Sequence, residues 1–359
     1  MRESAFRAEI PAAEVEELQR RLDAVRWPDQ LPGVEWSYGV ELERLQSVVE
    51  YWRTTYDWRR FERRLNQVPQ YLTEIDGQRI HFLHRPVEGK TPLLLLHGWP
   101  GSGADFLSLM DLLPEFTLVV PTMPGFGFSG PTTATGWGAE RIAQAYVALM
   151  EQLGYDRYGV HGFDWGARIG PAIARLVPER LIGLHLDGYL AFPKDDEELS
   201  ESERERLLGL SRWERERSGY AAIQSTRPQT LAYALADSPV GQLAWNLEWY
   251  DDYGHREGAI GNDQILDAVT LTWLTGTAGS SGRIYREAAS SWGAESAFCP
   301  VPTGLAVFPG DSTVRRLVQR EFDVTHYTEF DRGGHFAVLE VPDLVAADLH
   351  SFFTTHPNP

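Results

Sequence analysis

The order of apolar segments predicts an α/β fold: a mostly parallel central sheet, a helical lid inserted over it, and an N-terminal meander module. Three observations predict it. From residue 91 onward, short buried-strand runs alternate with amphipathic helices, the signature of parallel strands joined by crossover helices. That rhythm breaks over 191–295, which is charged, Trp-rich and helical in pattern. Two strand-to-turn junctions carry glycine clusters, "HGWPGSG" (97–103) and "HGFDWGA" (161–167).

Residues 1–90 read as the N-terminal module. Val15, Leu18, Leu22 and Val25 recur at helical spacing between Pro11 and Arg26, and Leu42, Leu45, Val48, Val49 and Trp52 do so near Glu41–Tyr56. "YLTEIDGQRIHFLHRP" reads as a hairpin turning at Asp76-Gly77. The core then takes 91–190 and 296–359. Its strands are "PLLLL" (92–96), "TLVVP" (117–121), "RYGVHGF" (157–163), "LIGLHLD" (181–187), "TGLAVFP" (303–309) and "HYTEF" (326–330), with helices at 139–153, 166–177 and about 343–353. The lid, 191–295, lies over the carboxyl edge of the sheet, where open α/β sheets place their ligands. Its run "DDEELSESERERLLGLSRWERER" is a solvated helix face.

Composition narrows the function. A formal net charge of −18 over 359 residues supplies no basic face for nucleic acid or for an anionic membrane. The longest aliphatic run, Leu93–Leu96, is far short of the ~20 residues of a membrane helix. Cys299 is the single cysteine, which excludes an internal disulfide and a thiolate metal site. No metal or other cofactor is expected. No apolar signal segment is visible at the N-terminus, so a cytoplasmic location is expected.

Gly162-Phe163-Asp164-Trp165-Gly166 has the spacing of a nucleophile elbow, G-x-S-x-G, with aspartate in place of serine. The glycines give room for a strained strand-to-helix turn. The loop "HGWPGSG" can aim the Trp99 N–H at the elbow, and the Trp165 N–H would complete an oxyanion hole. His335 in "GGHF" (333–336) follows the last strand and completes the chain order nucleophile, acid, histidine. Asp311 in "FPGDS" is the first choice of acid and Asp187 in "LHLDG" the second, while Asp331 and Glu329 lie too near His335 in sequence.

At this point the sequence resembles the epoxide hydrolases of the α/β-hydrolase superfamily, in the branch of the microsomal, fungal and juvenile hormone enzymes. "RWPD" (26–29), "IDGQRIHFLH" (75–84), "HGWPGS" (97–102), "GFGFS" (125–129), "GFDWGA" (162–167), "DSPVG" (237–241) and "RGGHFAVLEVP" (332–342) carry the resemblance, which covers nearly the whole chain. It implies an α/β-hydrolase fold and an N-terminal module wrapping the core. It also nominates two lid tyrosines, Tyr220 in "SGYAAIQSTRPQT" (218–230) and Tyr285 in "SSGRIYREA" (280–288).

The chemistry agrees with that resemblance. An epoxide carbon is saturated, so a carboxylate can displace at it and form an alkyl ester. Water then attacks the ester carbonyl, which an ether formed by serine would lack. A haloalkane or haloacid dehalogenase using the same aspartate is the rival within enzymes, and a non-catalytic ligand-binding scaffold the rival outside them. Trp213, Trp245 and Trp249 serve either as an aromatic lining, with Trp245 and Trp249 touching substrate, or as packing. The expected partner is a small epoxide, and a homodimer is compatible with the sequence.

Overall fold

The computed structural model describes residues 3–194, 197–252, 259–290 and 296–355. Nine strands form one sheet: β1 (Ser4–Phe6), β2 (Gln70–Ile75), β3 (Gln78–Arg85), β4 (Pro92–Leu96), β5 (Thr117–Pro121), β6 (Tyr158–Phe163), β7 (Leu181–Asp187), β8 (Cys299–Val307) and β9 (Phe322–Glu329). Their order is β1-β2-β3-β5-β4-β6-β7-β8-β9. The first three pair antiparallel, β3 joins β5 antiparallel, and β5 through β9 are parallel. All five residues of β4, of β5 and all six of β6 are buried, as expected where helices cover both faces of a parallel sheet.

The expected elements recur with small shifts at their ends. The hairpin turns at Asp76 and Gly77, whose φ angles of 52° and 72° are those of a two-residue primed turn. β8 begins at Cys299, four residues earlier than the apolar run indicates. Pro300 and Pro302 obscure this stretch, and the register shift between Cys299 and Pro302 is the irregularity that tolerates them. β1 was not expected. Three residues carry no readable alternation, and the strand exists because it pairs with the outer edge of β2.

Above the sheet, the described part of the lid is helical: Glu201–Glu216, Gly219–Thr226, Pro228–Asp237, Pro239–Asp252, Asn262–Leu274, Ala278–Ser281 and Arg283–Ala288. The N-terminal helices grip it through polar contacts. Arg44 makes a two-pronged contact with Asp251, Nε to Oδ2 at 2.6 Å and Nη2 to Oδ1 at 3.3 Å, and reaches Asn262 at 3.1 Å. Tyr51 donates to Asp263 and Tyr56 to Asp267, while Arg60 pairs with both carboxylates. Arg21 donates to the carbonyl of Asp237. No helix among the described residues is long and apolar enough to cross a membrane.

Candidate active site

The elbow sits where β6 stops and the helix Gly166–Leu176 starts. Asp164 lies between them at φ +50°, a left-handed conformation that is costly for a residue with a Cβ. Such strain survives only where the surroundings hold it. A Cβ on Gly166 would overlap the Leu96 carbonyl, and one on Gly162 the Gly166 carbonyl, so the turn can close this tightly only around glycines. Gly98 plays the same part from the β4 loop, since a Cβ there would collide with the Asp164 side chain.

That close approach lets the Trp99 N–H donate to Asp164 Oδ1 at 2.8 Å. The other carboxylate oxygen, Oδ2, faces His335 Nε2 at 3.2 Å. Trp165 follows Asp164 at the head of the helix; the residue is 5% exposed, and its ring stands edge-on to Tyr285 at 4.9 Å. Ser102 and Asp105 brace the Trp99 loop: the Ser102 N–H donates to Asp105 Oδ2, and Ser102 Oγ accepts from the Ala104 N–H.

Asp311 lies in the turn after β8. Its Oδ1 accepts from the Thr313 N–H at 2.6 Å, and its other oxygen packs where Gly188 has no side chain. Burial raises its pKa, opposed by the Thr313 hydrogen bonds and by the nearby His335. Asp187 is placed differently. It ends β7 with its nearest charged or imidazole contacts at 3.9 Å, to His161 Nε2 and His185 Nδ1. His161, His185 and Asp187 are also the described residues close enough together to hold a metal ion.

The two lid tyrosines come together over the tryptophans. Tyr220 and Tyr285 stand edge-on with ring centres 5.6 Å apart. Tyr220 stacks on Trp99 at 5.4 Å, and Tyr285 meets Trp99 edge-on at 5.7 Å. Trp249 lies 4.9 Å from both the His335 and the Tyr220 rings. Trp213 reaches Tyr220 at 6.2 Å. Trp245 instead donates its indole N–H to Gln224 Oε1 at 3.1 Å, tying two lid helices together. Sequence reasoning named Trp245 and Trp249 as the substrate contacts, although the lid pattern does not say which helix face meets the sheet.

Fold and elbow together define an α/β-hydrolase whose elbow carries an aspartate where the G-x-S-x-G pattern has serine. Residues 3–106 match the family model described as the epoxide hydrolase N terminus, and residues 91–230 match that of the alpha/beta hydrolase fold. A provisionally named epoxide hydrolase of Stigmatella aurantiaca is 43% identical, over 97% of this chain and 84% of its own. Epoxide hydrolase 1 of Sus scrofa is 32% identical over 97% of this chain and 87% of its own. The structure of the Aspergillus niger epoxide hydrolase superposes with a TM-score of 0.90 at 30% identity, covering 99% of this chain and 97% of that one. The chain belongs to the epoxide hydrolase family.

Proposed function

We propose that the protein hydrolyses an epoxide to a vicinal 1,2-diol through an alkyl ester on Asp164. The observation that carries this is the division of the Asp164 carboxylate: Oδ1 on the Trp99 N–H, Oδ2 toward His335 Nε2. On this reading the two oxygens take separate parts. Oδ2 is the nucleophile and attacks a ring carbon; the C–O bond of the ring breaks; the leaving oxygen takes a proton from Tyr220 or Tyr285. A phenol of pKa ~10 suits a leaving alkoxide better than water does. Oδ1 becomes the ester carbonyl oxygen and is already on an amide donor, which the Trp165 N–H joins as charge develops.

In the second half-reaction His335, steadied by Asp311, takes a proton from water. The hydroxide attacks the carbonyl carbon of the ester, the acyl C–O bond breaks, and the diol leaves as the proton from His335 reaches its oxygen. Asp164, left as a carboxylic acid, gives up its proton to solvent, and the phenolate regains one from solvent, so the cycle closes with no net proton change. No metal or redox group enters this scheme. Trp249, against both His335 and Tyr220, lines the substrate space, and Trp245 supports the helix that carries Tyr220.

The same proposal divides the chain into an N-terminal module (1–90) that clamps the lid, a core (91–190 and 296–359) and the lid itself (191–295). It places the protein in the cytoplasm, supported by the acidic charge and the single, buried Cys299. A homodimer is compatible with it. A panel of styrene oxide analogues, larger polycyclic epoxides and haloalkanes tests the function. Diol from epoxides without halide release supports it; halide release alone would assign a dehalogenase, and binding without turnover a scaffold.

A further inference from the structure

Beneath the site lies a buried polar chain that the reaction does not use. His161 on β6 and His185 on β7 are register neighbours, both 0% exposed, with their Nδ1 atoms 3.1 Å apart. Asp348, on the closing helix Pro342–Thr355, fixes the direction of that hydrogen bond. Its carboxylate meets His185 Nε2 at 2.9 Å, His326 Nε2 at 2.8 Å and Thr328 Oγ1 at 2.7 Å. Burial works to raise its pKa, but these hydrogen bonds and the neighbouring His185 outweigh burial and hold it down to about 2. An ionised carboxylate only accepts, so His185 carries its proton on Nε2.

The tautomers then follow in order. In the state proposed below His185 carries only the Nε2 proton and presents a lone pair at Nδ1, so His161 donates from its own Nδ1. Burial and the adjacent imidazole push the His161 pKa well down and keep it neutral. His161 Nε2 is therefore a lone pair. It is buried without a hydrogen-bond partner, and Asp187 Oδ2 lies across from it at 3.9 Å. Asp187 is the complementary case. Its side chain is 3% exposed and neither carboxylate oxygen has a partner. Buried polar atoms left this way are costly, so three in one place require an explanation.

Among the described residues, the ionisable groups acting on Asp187 are His161 from β6 and His185 from β7, each at 3.9 Å, and the charges of Asp311 in the turn after β8 and Asp348 on the closing helix. None of these is lysine or arginine. Burial first, then the charges of Asp348 and Asp311, push the Asp187 carboxyl well above the usual carboxylate range. A lone pair facing a carboxylate repels it, whereas a carboxylic acid there supplies the missing donor after a shift of about 1 Å, the difference between 3.9 Å and hydrogen-bond distance.

We propose that Asp187 is a carboxylic acid that donates to His161 Nε2, closing a hydrogen-bonded chain Asp187–His161–His185–Asp348–His326, and that its neutrality makes it a positioning residue which leaves Asp311 as the single negative charge behind His335. The chain ends at His326, whose side chain is 21% exposed, so it reaches from Asp187 to solvent. The role rests on the reading of Asp311 and His335 given above; the protonation of Asp187 does not. The opposing state has the same number of protons. There the Asp187 proton passes to His161 Nε2 and the His161 Nδ1 proton to His185, leaving a carboxylate and an imidazolium 3.9 Å apart.

Infrared difference spectra of the whole protein, wild type minus Asp187→Asn, taken in water and in deuterium oxide near neutral pH, separate these states. The proposal expects a carboxylic-acid carbonyl band in the wild type that moves on deuteration and is missing from Asp187→Asn. Absence of that band overturns it. Nitrogen-15 spectra of histidine-labelled wild type need no variant: a proton on His161 Nδ1 and on His185 Nε2 alone is expected, and a doubly protonated His185 overturns the proposal. The positioning role is read from the acid limb of ester hydrolysis. Removing a neutral acid leaves the limb of Asp187→Asn in place, whereas removing an anion would shift it to lower pH, because His335 would lose a stabilising charge. Turnover by Asp311→Asn tests the catalytic reading separately.

Discussion

Asp164 and His335 face each other across 3.2 Å, Oδ2 to Nε2, while the far oxygen of the same carboxylate is held by the Trp99 N–H. In the proposed reaction the nucleophilic oxygen and the base therefore share one side of the elbow, and once Oδ2 is alkylated the imidazole is left beside the ester that water must attack. Each step of the proposed reaction assigns a separable task to the residues around this pair.

In the proposed reaction the tyrosines act only in ring opening. Tyr220→Phe and Tyr285→Phe are each expected to slow alkylation on the order of 10²-fold, the usual scale for a lost general acid. Hydrolysis of a preformed ester should be largely spared. Stopped-flow Trp fluorescence, with Trp99 and Trp249 against the site, follows both phases. Wild-type alkylation in both variants would remove the phenols from the mechanism.

Asp311→Asn should cripple ester hydrolysis, because in the proposed reaction His335 would lose the carboxylate that orients it. Asp187→Asn should affect turnover much less. Single-turnover rates of the second phase give the ranking directly, and the reverse order would move the catalytic acid to the end of β7.

The Arg44–Asp251 pair ties the N-terminal module to the lid helix that carries Trp249. Its side chains are 14% and 2% exposed, so the charges are largely cut off from water. Arg44→Met strands a buried carboxylate and should cost about 3–5 kcal/mol, the range for breaking one side of a buried pair. Removing both charges, with Arg44→Met and Asp251→Leu together, should recover much of that loss. Denaturant titrations of the three proteins measure it.

Asp105 gives stability a pH dependence. Burial pushes its carboxyl up to about 7, against the lowering effect of the Ser102 N–H. In the unfolded chain it titrates near 3.9. The folded state thus holds an extra proton between these values. The stability Asp105 contributes is fully present at low pH and declines as pH rises toward 7, by up to roughly 1.4 kcal/mol per pH unit. Asp105→Asn keeps an acceptor for Ser102 and has no charge to bury. Its advantage over wild type should be small at acid pH and grow through neutrality. Parallel stability curves would contradict this.

Much of the framework is written in the chain because it is local. "PLLLL" and "RYGVHGF" announce buried strands by their apolar runs, and the glycines around Asp164 announce a tight turn. Asp-Gly at 76–77 names its own hairpin. What long-range packing decides was not legible. β1 exists only by pairing with β2, sixty residues on. Nothing in the spacing of Trp213, Trp245 and Trp249 says which rings reach the tyrosines, since that depends on how the lid helices turn over the sheet. His161 and His185 looked like ordinary strand residues. Only the parallel register of β6 and β7 sets them side by side, three residues before Asp164 and two before Asp187.

The covalent role of Asp164 is tested most directly by one turnover in heavy-oxygen water with enzyme in excess over epoxide. If Oδ2 attacks the ring, the oxygen delivered to the substrate comes from the aspartate, and solvent oxygen enters only at the ester carbonyl carbon. The diol should then be unlabelled, and the label should sit in the peptide carrying Asp164. His335→Gln should halt the cycle after alkylation and leave the mass of the substrate on that peptide; Asp164→Ala should show neither label nor adduct. Heavy oxygen in the diol of the first turnover would mean that water attacks the epoxide directly, and the ester mechanism would be lost.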